Sequence, residues 1–476
     1  MSINIKLNNM NYRYEVYQIV SLFHRLEDIN FSELGENFCI DIEEKFIEIA
    51  SKDVSKNFEF NEEDSKKNQI KRYIYLYFSK LYSVELPWGT LIGIRPSKIA
   101  LALINQGYSD EEIIEYFHHK YLVKRTKVRL CIDVARHEKN FINTNKDNIS
   151  IYLGMPFCPT RCLYCSFTSN PISGSKNLVE PYIGALVKEI KELSLFIKSK
   201  KLNIDTIYFG GGTPTAVEDD DFEYVMKNIH ENLIKDFSVT EFTVECGRPD
   251  SITKNKLQTM KSYLVDRISI NPQSMNNNTL KIIGRNHSVE DVIDKFNMAR
   301  NLGFSNINMD IILGLPGETS EDVNNTLDVI KKIAPESITV HGLSVKRASK
   351  LYEDLKLKKI YEIASQDEIT KMYDATKLVA EDLKMSPYYM YRQKNMPCNM
   401  ENIGYSVLGK ECIYNMQIIE ERQTIIALGA DAVSKVVFLD ENRIERFANI
   451  KDIGEYINRI DEIIEKKKAL LETLYK

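Results

Sequence analysis

Three cysteines lie within eight residues of one another on a stretch rich in glycine and proline. Cys158, Cys162 and Cys165 have the spacing C-x3-C-x2-C, which places three thiols on one loop. An iron–sulfur cubane normally takes four cysteines, so three thiolates leave one iron with an open coordination position. An open position makes a metal site reactive. The spacing predicts a [4Fe–4S] cluster whose open iron binds the amino and carboxylate groups of S-adenosylmethionine.

Such a cluster would carry out radical chemistry. An electron from the cluster would break a carbon–sulfur bond of S-adenosylmethionine and release a 5′-deoxyadenosyl radical. Two other interpretations of the cysteines stay open: a zinc site that lacks its fourth ligand, and three unrelated core cysteines. Core cysteines seldom lie on a loop at this spacing, and zinc would need another Cys or His close by. The scattered cysteines are predicted to be small buried residues, and they are Cys39, Cys131, Cys246, Cys398 and Cys412.

A run of three glycines follows the second predicted strand, in the sequence Phe-Gly-Gly-Gly-Thr-Pro at 209–214. Glycine has no side chain, so backbone groups can come close to a polar ligand there. A glycine-rich run is most often only a turn. Because this one comes a single strand–helix unit after the cysteines, we interpret it as a cradle for the methionine end of the cofactor.

Four polar residues lie at or just after the ends of later predicted strands. They are Glu245, Gln273, Arg285 and Asp310. A bound amino acid with a ribose needs a carboxylate for its ammonium, a guanidinium for its carboxylate and a carboxylate or amide for its hydroxyls. Each residue alone is more often a surface or capping residue, but the set matches these requirements.

Strands that alternate with helices predict the scaffold that brings these residues together. Alternation of this kind indicates βαβ units and a parallel sheet, whose chemistry lies at the carboxyl ends of the strands. The fold class is therefore α/β, with a partial (β/α)6 barrel or a strongly curved open sheet. The predicted strands are 150–153, 206–209, 241–246, 267–270, 306–313 and 337–342. The predicted helices are 178–198, 222–233, 289–302 and 321–333.

The pattern changes on both sides of this region, which predicts three domains. An N-terminal accessory domain of mixed structure covers 1–146, the partial barrel covers 147–350, and a C-terminal α+β domain that covers the substrate spans 351–476. The last domain is expected to contain antiparallel strands near 387–391 and 436–438 and an amphipathic helix over 453–475.

Composition sets limits on location and partners. The net charge of -5 argues against a uniformly basic chain that binds nucleic acid. No apolar run approaches the roughly 20 residues that cross a bilayer, and the N-terminus lacks the apolar core of a signal peptide. We therefore expect a cytoplasmic protein without stable membrane insertion, in a compartment where thiols stay reduced.

The motifs resemble those of the radical S-adenosylmethionine superfamily, and more closely those of the oxygen-independent coproporphyrinogen III oxidases. The resemblance is carried by the stretches 152–167, 209–214, 267–274 and 308–317. Beyond the barrel, the sequence is similar to the branch of HemZ-type coproporphyrinogen dehydrogenases, in 88–98, 391–396, 401–405 and 427–430.

The resemblance implies a function and a set of site residues. It implies the oxygen-independent oxidative decarboxylation of coproporphyrinogen III to protoporphyrinogen IX in heme biosynthesis, with a tetrapyrrole substrate and an electron donor such as flavodoxin or ferredoxin. Ser344 matches by its position after the sixth strand and not by residue type. The residues implied to line the S-adenosylmethionine site are Tyr152, Tyr164, Gly211, Gly212, Thr213, Glu245, Gln273, Arg285, Asp310 and Ser344.

Three residues differ from those usual in the family, and they leave the substrate open. Phe167 stands where the typical decarboxylase has a further cysteine, and the related heme chaperones share this phenylalanine. Cys398 and Asp431 stand where glycine would be more usual. The alternatives are therefore a heme chaperone and another radical reaction on a tetrapyrrole, such as methylation with ring opening. Candidate substrate contacts, each equally well explained as a packed or solvated residue, are Arg392 and Lys394 with Tyr388, Tyr389 and Tyr391.

Overall fold

The computed structural model describes residues 2–24, 28–33, 37–62, 64–93, 95–167, 169–357, 361, 364–393 and 399–475. It divides the chain into two compact units, and each unit draws on two stretches of the sequence. The N-terminal unit is Met1–Asp133 with Tyr391–Glu401, and the large unit is Val134–Met390 with Asn402–Lys476.

The N-terminal unit is a mixed sheet packed against helices. Its strands are β1 (Ile3–Leu7), β2 (Ile29–Phe31), β3 (Phe38–Ile42), β4 (Phe46–Ser51) and β5 (Ser55–Glu59). Its helices are α1 (Arg13–Val20), α2 (Lys66–Tyr82), α3 (Pro96–Asn105), α4 (Asp110–Tyr121) and the start of α5 (Arg125–Glu138). The strand order is β2-β1-β3-β4-β5, with β1 parallel to both neighbours and β4 antiparallel to both of its own. Alternate residues of β1 are buried, because successive side chains of a strand point to opposite faces.

The large unit contains the predicted α/β region. Its strands are β6 (Asn148–Met155), β7 (Phe157–Cys158), β8 (Asn170–Pro171), β9 (Asn203–Gly211), β10 (Glu241–Glu245), β11 (Arg267–Ser269), β12 (Ile307–Leu313), β13 (Ser337–Gly342), β14 (Ser386–Tyr391), β15 (Asn402–Ser406), β16 (Thr424–Leu428), β17 (Val433–Phe438) and β18 (Arg443–Ala448). Its helices are α6 (Lys176–Ser199), α7 (Asp219–Ile229), α8 (Lys254–Ser262), α9 (Asn277–Ile282), α10 (Val289–Asn301), α11 (Ser320–Ile333), α12 (Lys350–Lys356), α13 (Gln366–Asp382), α14 (Ile413–Glu420), α15 (Ile453–Asn458) and α16 (Ile460–Leu474).

One sheet runs through the large unit in the order β14-β15-β13-β12-β11-β10-β9-β6-β16-β17-β18. Within this sheet, β6, β9, β10, β11, β12 and β13 are parallel to one another, which confirms the six strands predicted from the sequence. β16 extends this parallel arrangement beside β6, whereas β15 is antiparallel to β13. The carboxyl ends of the parallel strands therefore meet at one edge. Glu245 ends β10 and Gln273 follows β11 at this edge, whereas Tyr152 and Asp310 lie in the middle of β6 and β12.

The structure groups the C-terminal residues differently from the three predicted domains. The predicted antiparallel strands are present, but β14 to β18 all join the sheet of the parallel strands and do not form a sheet of their own. The helix predicted over 453–475 is two helices that meet at Arg459. The stretch Tyr391–Glu401, which was expected in the C-terminal domain, groups with the N-terminal unit.

An apolar layer covers one face of the large sheet. Helices α6, α7, α8 and α10 pack on the parallel strands through buried aliphatic and aromatic residues, and α15 and α16 extend the same core. Strands that are covered on both faces are almost continuously buried, as in β6 and β12. Within the described ranges, every helix is too short or too polar to span a membrane.

A buried ion pair joins the C-terminal helices to this core. The Nζ atom of Lys467 lies 2.5 Å from the Oε1 atom of Glu189, and neither side chain is exposed. The Glu189 carboxylate also accepts hydrogen bonds from Asn449, the Gly429 amide and the Tyr456 hydroxyl. Burial lowers the pKa of Lys467, although the nearby carboxylate opposes this shift. One carboxylate in α6 thus links β16, β18 and both C-terminal helices.

Replacement of Lys467 should destabilise the protein strongly. Lys467→Met leaves the Glu189 carboxylate buried without its cation, which costs about 3–5 kcal/mol in the free energy of unfolding. Lys468→Met is the matched control, since Lys468 pairs with Glu192 at 2.7 Å in a partly exposed position and should cost about 0–1 kcal/mol. Denaturant unfolding measures both. Equal costs for the two variants would contradict the role given to Glu189.

Candidate active site

The loop that carries the three cysteines is held on both sides. Its start forms the short strand β7, which pairs with β8. The Leu163 amide donates to the Ile283 carbonyl at 3.0 Å, and the Leu163 carbonyl accepts from the Leu351 amide at 2.9 Å. The Leu163 side chain is buried in a small apolar cluster with Leu280 and Leu315. The loop geometry is therefore fixed by backbone contacts and one buried leucine, independently of any metal.

The three thiols have a polar and cationic environment. Cys158 and Cys162 are buried and Cys165 is half-buried. The Cys158 sulfur lies 3.5 Å from the Thr213 hydroxyl, and the Cys162 sulfur accepts from Arg248 Nη1 at 3.5 Å. Burial raises the pKa of Cys158 to about 12 and also raises that of Cys165. Metal centres bind thiolates and not thiols. Binding of a cluster to these sulfurs must therefore release their protons.

The donor set fits an iron–sulfur cluster. In the described part of the chain, no group of three or more His, Cys, Asp and Glu side chains is arranged to hold a single metal ion. A cubane binds each thiolate through a different iron, so its ligands stand further apart than those of one ion. Three thiols on one fixed loop are compatible with that arrangement.

The glycine run at the end of β9 passes directly beneath the cluster loop. A Cβ atom on Gly212 would lie 2.6 Å from the Phe157 carbonyl oxygen and 3.0 Å from the Cys158 sulfur. Gly211 has a φ of +107°, which L side chains rarely adopt. Thr213 follows and donates its hydroxyl to the Gly212 carbonyl. The close approach of the two backbones therefore requires glycine at these positions.

Glu245, at the end of β10, is a buried carboxylate on this side of the sheet. Burial is the largest cause that raises its pKa to about 7, and the negative charge of Asp310 adds to the shift. The Tyr208 hydroxyl donates to its Oε1 atom and opposes the shift. A cationic ammonium beside this carboxylate would favour the ionised form.

Asp310, in the middle of β12, is held in the ionised form. Burial acts to raise its pKa, but contacts with His341 and Asn308 outweigh burial and lower it. The Asn308 amide donates to Asp310 Oδ1 at 2.7 Å, and His341 Nε2 lies 3.7 Å from Oδ2. A fixed, charged acceptor of this kind is suited to ribose hydroxyls.

Several buried polar atoms have no hydrogen-bond partner among the residues that the structure describes. They include Gln273 Oε1, Arg285 Nε and Ser344 Oγ. Gln273 also has a φ of +68°, an unfavourable backbone conformation for a residue other than glycine. Arg285 donates through Nη1 to the Asn271 carbonyl at 2.5 Å and through Nη2 to the Tyr164 hydroxyl at 3.4 Å. Unpartnered buried atoms need an explanation, and a polar ligand supplies one.

Tyrosines line the same face of the sheet. Tyr152 and Tyr208 occupy paired positions on β6 and β9, and their rings stack at 6.3 Å. Tyr414, from α14, stacks on Tyr208 at 4.6 Å. Tyr164 lies on the cluster loop beside Arg285. The predicted residues Tyr152 and Tyr164 are thus close to other predicted site residues.

Sequence reasoning missed three residues of this region. Tyr208 precedes the glycines by two positions, so it shares a strand face with Gly210, and that alternation could have identified it. Arg248 comes three residues after the end of β10, near the strand end where the other site residues were sought. Tyr414 comes from a helix distant in sequence, and no local pattern indicates its place.

The predicted substrate residues are distributed differently. Within the N-terminal unit, Arg392 is buried, donates to the carbonyls of Leu91 and Asn399 at 2.8 and 2.7 Å, and stacks 4.6 Å above the Trp88 ring. The Trp88 indole donates to Glu401 at 2.7 Å. These contacts give Arg392 a structural role there, while its role toward substrate stays a prediction. Lys394 and Cys398 lie outside the described residues.

The aromatic candidates differ in exposure. Tyr388 and Tyr389 are buried on β14, and their rings meet edge to face at 4.8 Å. Phe167, by contrast, is 68% exposed, with Lys346 Nζ 5.7 Å from its ring centre. Phe167 is therefore accessible at the end of the cluster loop.

Comparison with known proteins agrees with this geometry. The family model of the radical SAM superfamily matches residues 152–330. The chain is 37% identical over 465 residues to the oxygen-independent coproporphyrinogen-III oxidase-like protein HemZ of Bacillus subtilis, covering 96% of this chain and 91% of that protein. The chain belongs to the radical SAM superfamily and, within it, to the coproporphyrinogen-III oxidase-like family. Members of this superfamily use a [4Fe–4S] cluster and S-adenosylmethionine, so these are its cofactors.

Other relatives bear on the finer assignment. The heme chaperone HemW of Bacillus subtilis is 30% identical over 225 residues, covering 47% of this chain and 58% of that protein. Among solved structures, coproporphyrinogen III oxidase HemN of Escherichia coli matches with a TM-score of 0.53 and 20% identity, covering 71% of this chain and 72% of that one. The match confirms the predicted radical SAM α/β fold.

Removal of a cluster cysteine should abolish iron binding. Anaerobically reconstituted protein should hold about four irons and give the signal of a reduced [4Fe–4S] cluster, and Cys158→Ala should lose both. Cys39→Ala and Cys131→Ala are controls, because those thiols belong to the N-terminal unit. Iron analysis and electron paramagnetic resonance measure the result. A full cluster in Cys158→Ala would show that the ligands are elsewhere.

Binding of S-adenosylmethionine should depend on the ionisation of Glu245. Its raised pKa of about 7 means that Glu245 is protonated in the empty site at lower pH, and accepting from the amino group of the ligand favours its ionised form. The part of the affinity that depends on Glu245 should therefore fall by up to about tenfold for each pH unit below 7. Glu245→Gln should bind more weakly and lose this dependence. Anaerobic equilibrium dialysis on cluster-loaded protein measures it; the same slope in Glu245→Gln would assign the proton to another group.

Proposed function

We propose that the chain is a radical SAM coproporphyrinogen dehydrogenase, which decarboxylates coproporphyrinogen III to protoporphyrinogen IX without oxygen. The observation that carries the proposal is the extent of similarity: the HemZ relative matches along 96% of the chain, through both units. The HemW relative of the same organism matches only 47%. Similarity that includes the regions outside the cluster domain supports a shared substrate as well as shared cofactors.

The site residues have complementary roles in this proposal. Cys158, Cys162 and Cys165 hold the cluster. Arg285 pairs with the carboxylate of S-adenosylmethionine, and Glu245, oriented by Tyr208, accepts from its amino group.

The remaining predicted residues surround the rest of the cofactor. Asp310 accepts from the ribose, and Gln273 Oε1 and Ser344 Oγ, which have no hydrogen-bond partner among the described residues, supply further polar contacts. Gly211, Gly212 and Thr213 keep the backbone close to the methionine end, and Tyr152 and Tyr164 line the walls.

The cofactors supply the reactive step. When bound by Cys158, Cys162, Cys165 and the residues named above, they would supply a 5′-deoxyadenosyl radical for removal of a hydrogen atom from a propionate β-carbon of the substrate. Loss of carbon dioxide, and of one electron to an external one-electron acceptor, would leave a vinyl group, and two such rounds would give protoporphyrinogen IX. A one-electron carrier such as flavodoxin or ferredoxin supplies the electron that starts each cycle. The protein's part is to bind, orient and exclude water.

A heme chaperone is the second candidate function. Phe167 replaces the further cysteine of typical decarboxylases and is exposed beside the cluster loop. HemW proteins are also among the relatives. A chaperone would keep the cofactor site and carry heme without converting it.

An anaerobic assay separates the two functions. With dithionite, S-adenosylmethionine and coproporphyrinogen III, a decarboxylase should form 5′-deoxyadenosine and carbon dioxide in a fixed ratio, together with protoporphyrinogen. Unchanged tetrapyrrole together with tight heme binding would instead favour the chaperone. Deoxyadenosine without carbon dioxide would favour another radical reaction.

Lys394→Ala tests the substrate side. Loss of a propionate contact should weaken turnover of the tetrapyrrole while S-adenosylmethionine binding is unchanged. Lys371→Ala is the control, because Lys371 is exposed and pairs only locally with Glu368. Arg392 is left intact, since its contacts with Leu91 and Trp88 would confound the result. Equal turnover in both lysine variants would remove Lys394 from the substrate site.

A further inference from the structure

Arg248 directs a buried guanidinium at a cluster cysteine. Its Nη1 atom lies 2.9 Å from the Thr160 hydroxyl and 3.5 Å from the Cys162 sulfur. Only 3% of the Arg248 side chain is exposed. The charge is therefore turned toward the cluster loop and away from solvent.

The guanidinium is held in place from the opposite side. Nε and Nη2 of Arg248 donate to the two carboxylate oxygens of Asp250 at 3.0 and 2.7 Å, a bidentate arrangement that fixes the plane of the group. The Arg248 carbonyl accepts from the Ser251 hydroxyl at 2.8 Å, which fixes the backbone as well. Because Nε and Nη2 both donate to Asp250, Nη1 is the guanidinium nitrogen that faces the cysteine loop.

We propose that Arg248 is a positioning residue that donates an N–H to the Cys162 thiolate and raises the reduction potential of the cluster. The inference rests on the proposed assignment of the three cysteines as ligands. Reduction adds one negative charge to the cluster. A fixed cation with a hydrogen bond to a ligand sulfur stabilises the reduced state more than the oxidised state. Arg248 thereby makes the first electron transfer easier.

A purely structural role for Arg248 is distinguishable. The loop has another support, because the Leu163 amide and carbonyl are both hydrogen-bonded. Thr160→Val removes both hydrogen bonds of the Thr160 hydroxyl, to Arg248 and to Gly284, and leaves this support intact. If Arg248 served only to hold the loop, loss of its contact with Thr160 would be enough to change the cluster. If it acts through the sulfur, Thr160→Val should leave the potential unchanged.

The test is a redox titration of the reconstituted protein, followed by electron paramagnetic resonance. Arg248→Gln should keep its iron and make reduction about tenfold less favourable, a shift of about 59 mV to more negative potential for a one-electron couple. Thr160→Val and Arg300→Gln should match the wild type. Arg300 is the matched control because it is paired with Glu336 at 2.5 Å outside the cluster loop. An unchanged potential in iron-loaded Arg248→Gln would overturn the inference, as would an equal shift in either control.

A second measurement decides the matter if Arg248→Gln does not take up iron. In protein labelled with ¹⁵N in the arginine guanidinium groups, pulsed electron paramagnetic resonance of the reduced cluster should show a nitrogen coupling. The charge-conserving Arg248→Lys should lose that coupling. A coupling that persists in Arg248→Lys would assign it to another arginine, such as Arg285, and overturn the inference. Failure of the ligand assignment itself would show separately, as full iron in Cys158→Ala.

Discussion

The close approach of two backbones is the constraint on which the site depends. The end of β9 runs beneath the cysteine loop, and the Gly212 amide donates to the Met155 carbonyl at 2.6 Å. A side chain at Gly212 would meet the Phe157 carbonyl and the Cys158 sulfur, and one at Gly210 would meet Glu245 Oε2 at 2.8 Å. The same three glycines therefore determine how closely the cysteine loop approaches the end of β9 and where the Glu245 carboxylate lies. Cluster ligation and cofactor binding are thus fixed by one stretch of chain.

The second constraint comes from charged side chains on the inner face of the sheet, which are buried and therefore need partners. Glu241, the first residue of β10, accepts from the Ile413 and Tyr414 amides at 2.7 and 3.3 Å, at the start of α14. A carboxylate at a helix N-terminus is favourable for both groups, because it satisfies free amides and meets the positive end of the helix dipole. Arg267, fully buried on β11, adds a cation to this region. The C-terminal segment therefore completes the inner face, which explains why it joins the large unit.

Patterns in the sequence predicted those parts of the fold that are determined by residues close together in the chain. Strands β6 and β9 to β13 were found because their apolar runs and intervening helices have distinct periods, and the cysteine spacing is confined to one loop. The grouping of β14 to β18 with the same sheet could not be predicted, because strand pairing such as β16 beside β6 joins residues far apart in sequence. Arg248 was missed for a related reason. Its proposed role depends on a contact with Cys162, which lies 86 positions away, and not on its neighbours in the sequence.

The predicted substrate contacts are where the interpretation of the sequence and the structure differ most. Arg392 was predicted from its charge beside tyrosines, yet its guanidinium is bound to two carbonyls and stacked on Trp88 within the N-terminal unit. Glu401, at the other end of the same stretch, accepts from Trp88 and from Lys127 at 2.6 Å. The segment between them is therefore fastened at both ends to the N-terminal unit. A charge beside tyrosines is a local pattern, whereas Arg392 and Glu401 find Leu91 and Trp88 as partners 301 and 313 positions away, so the local pattern could not reveal these contacts.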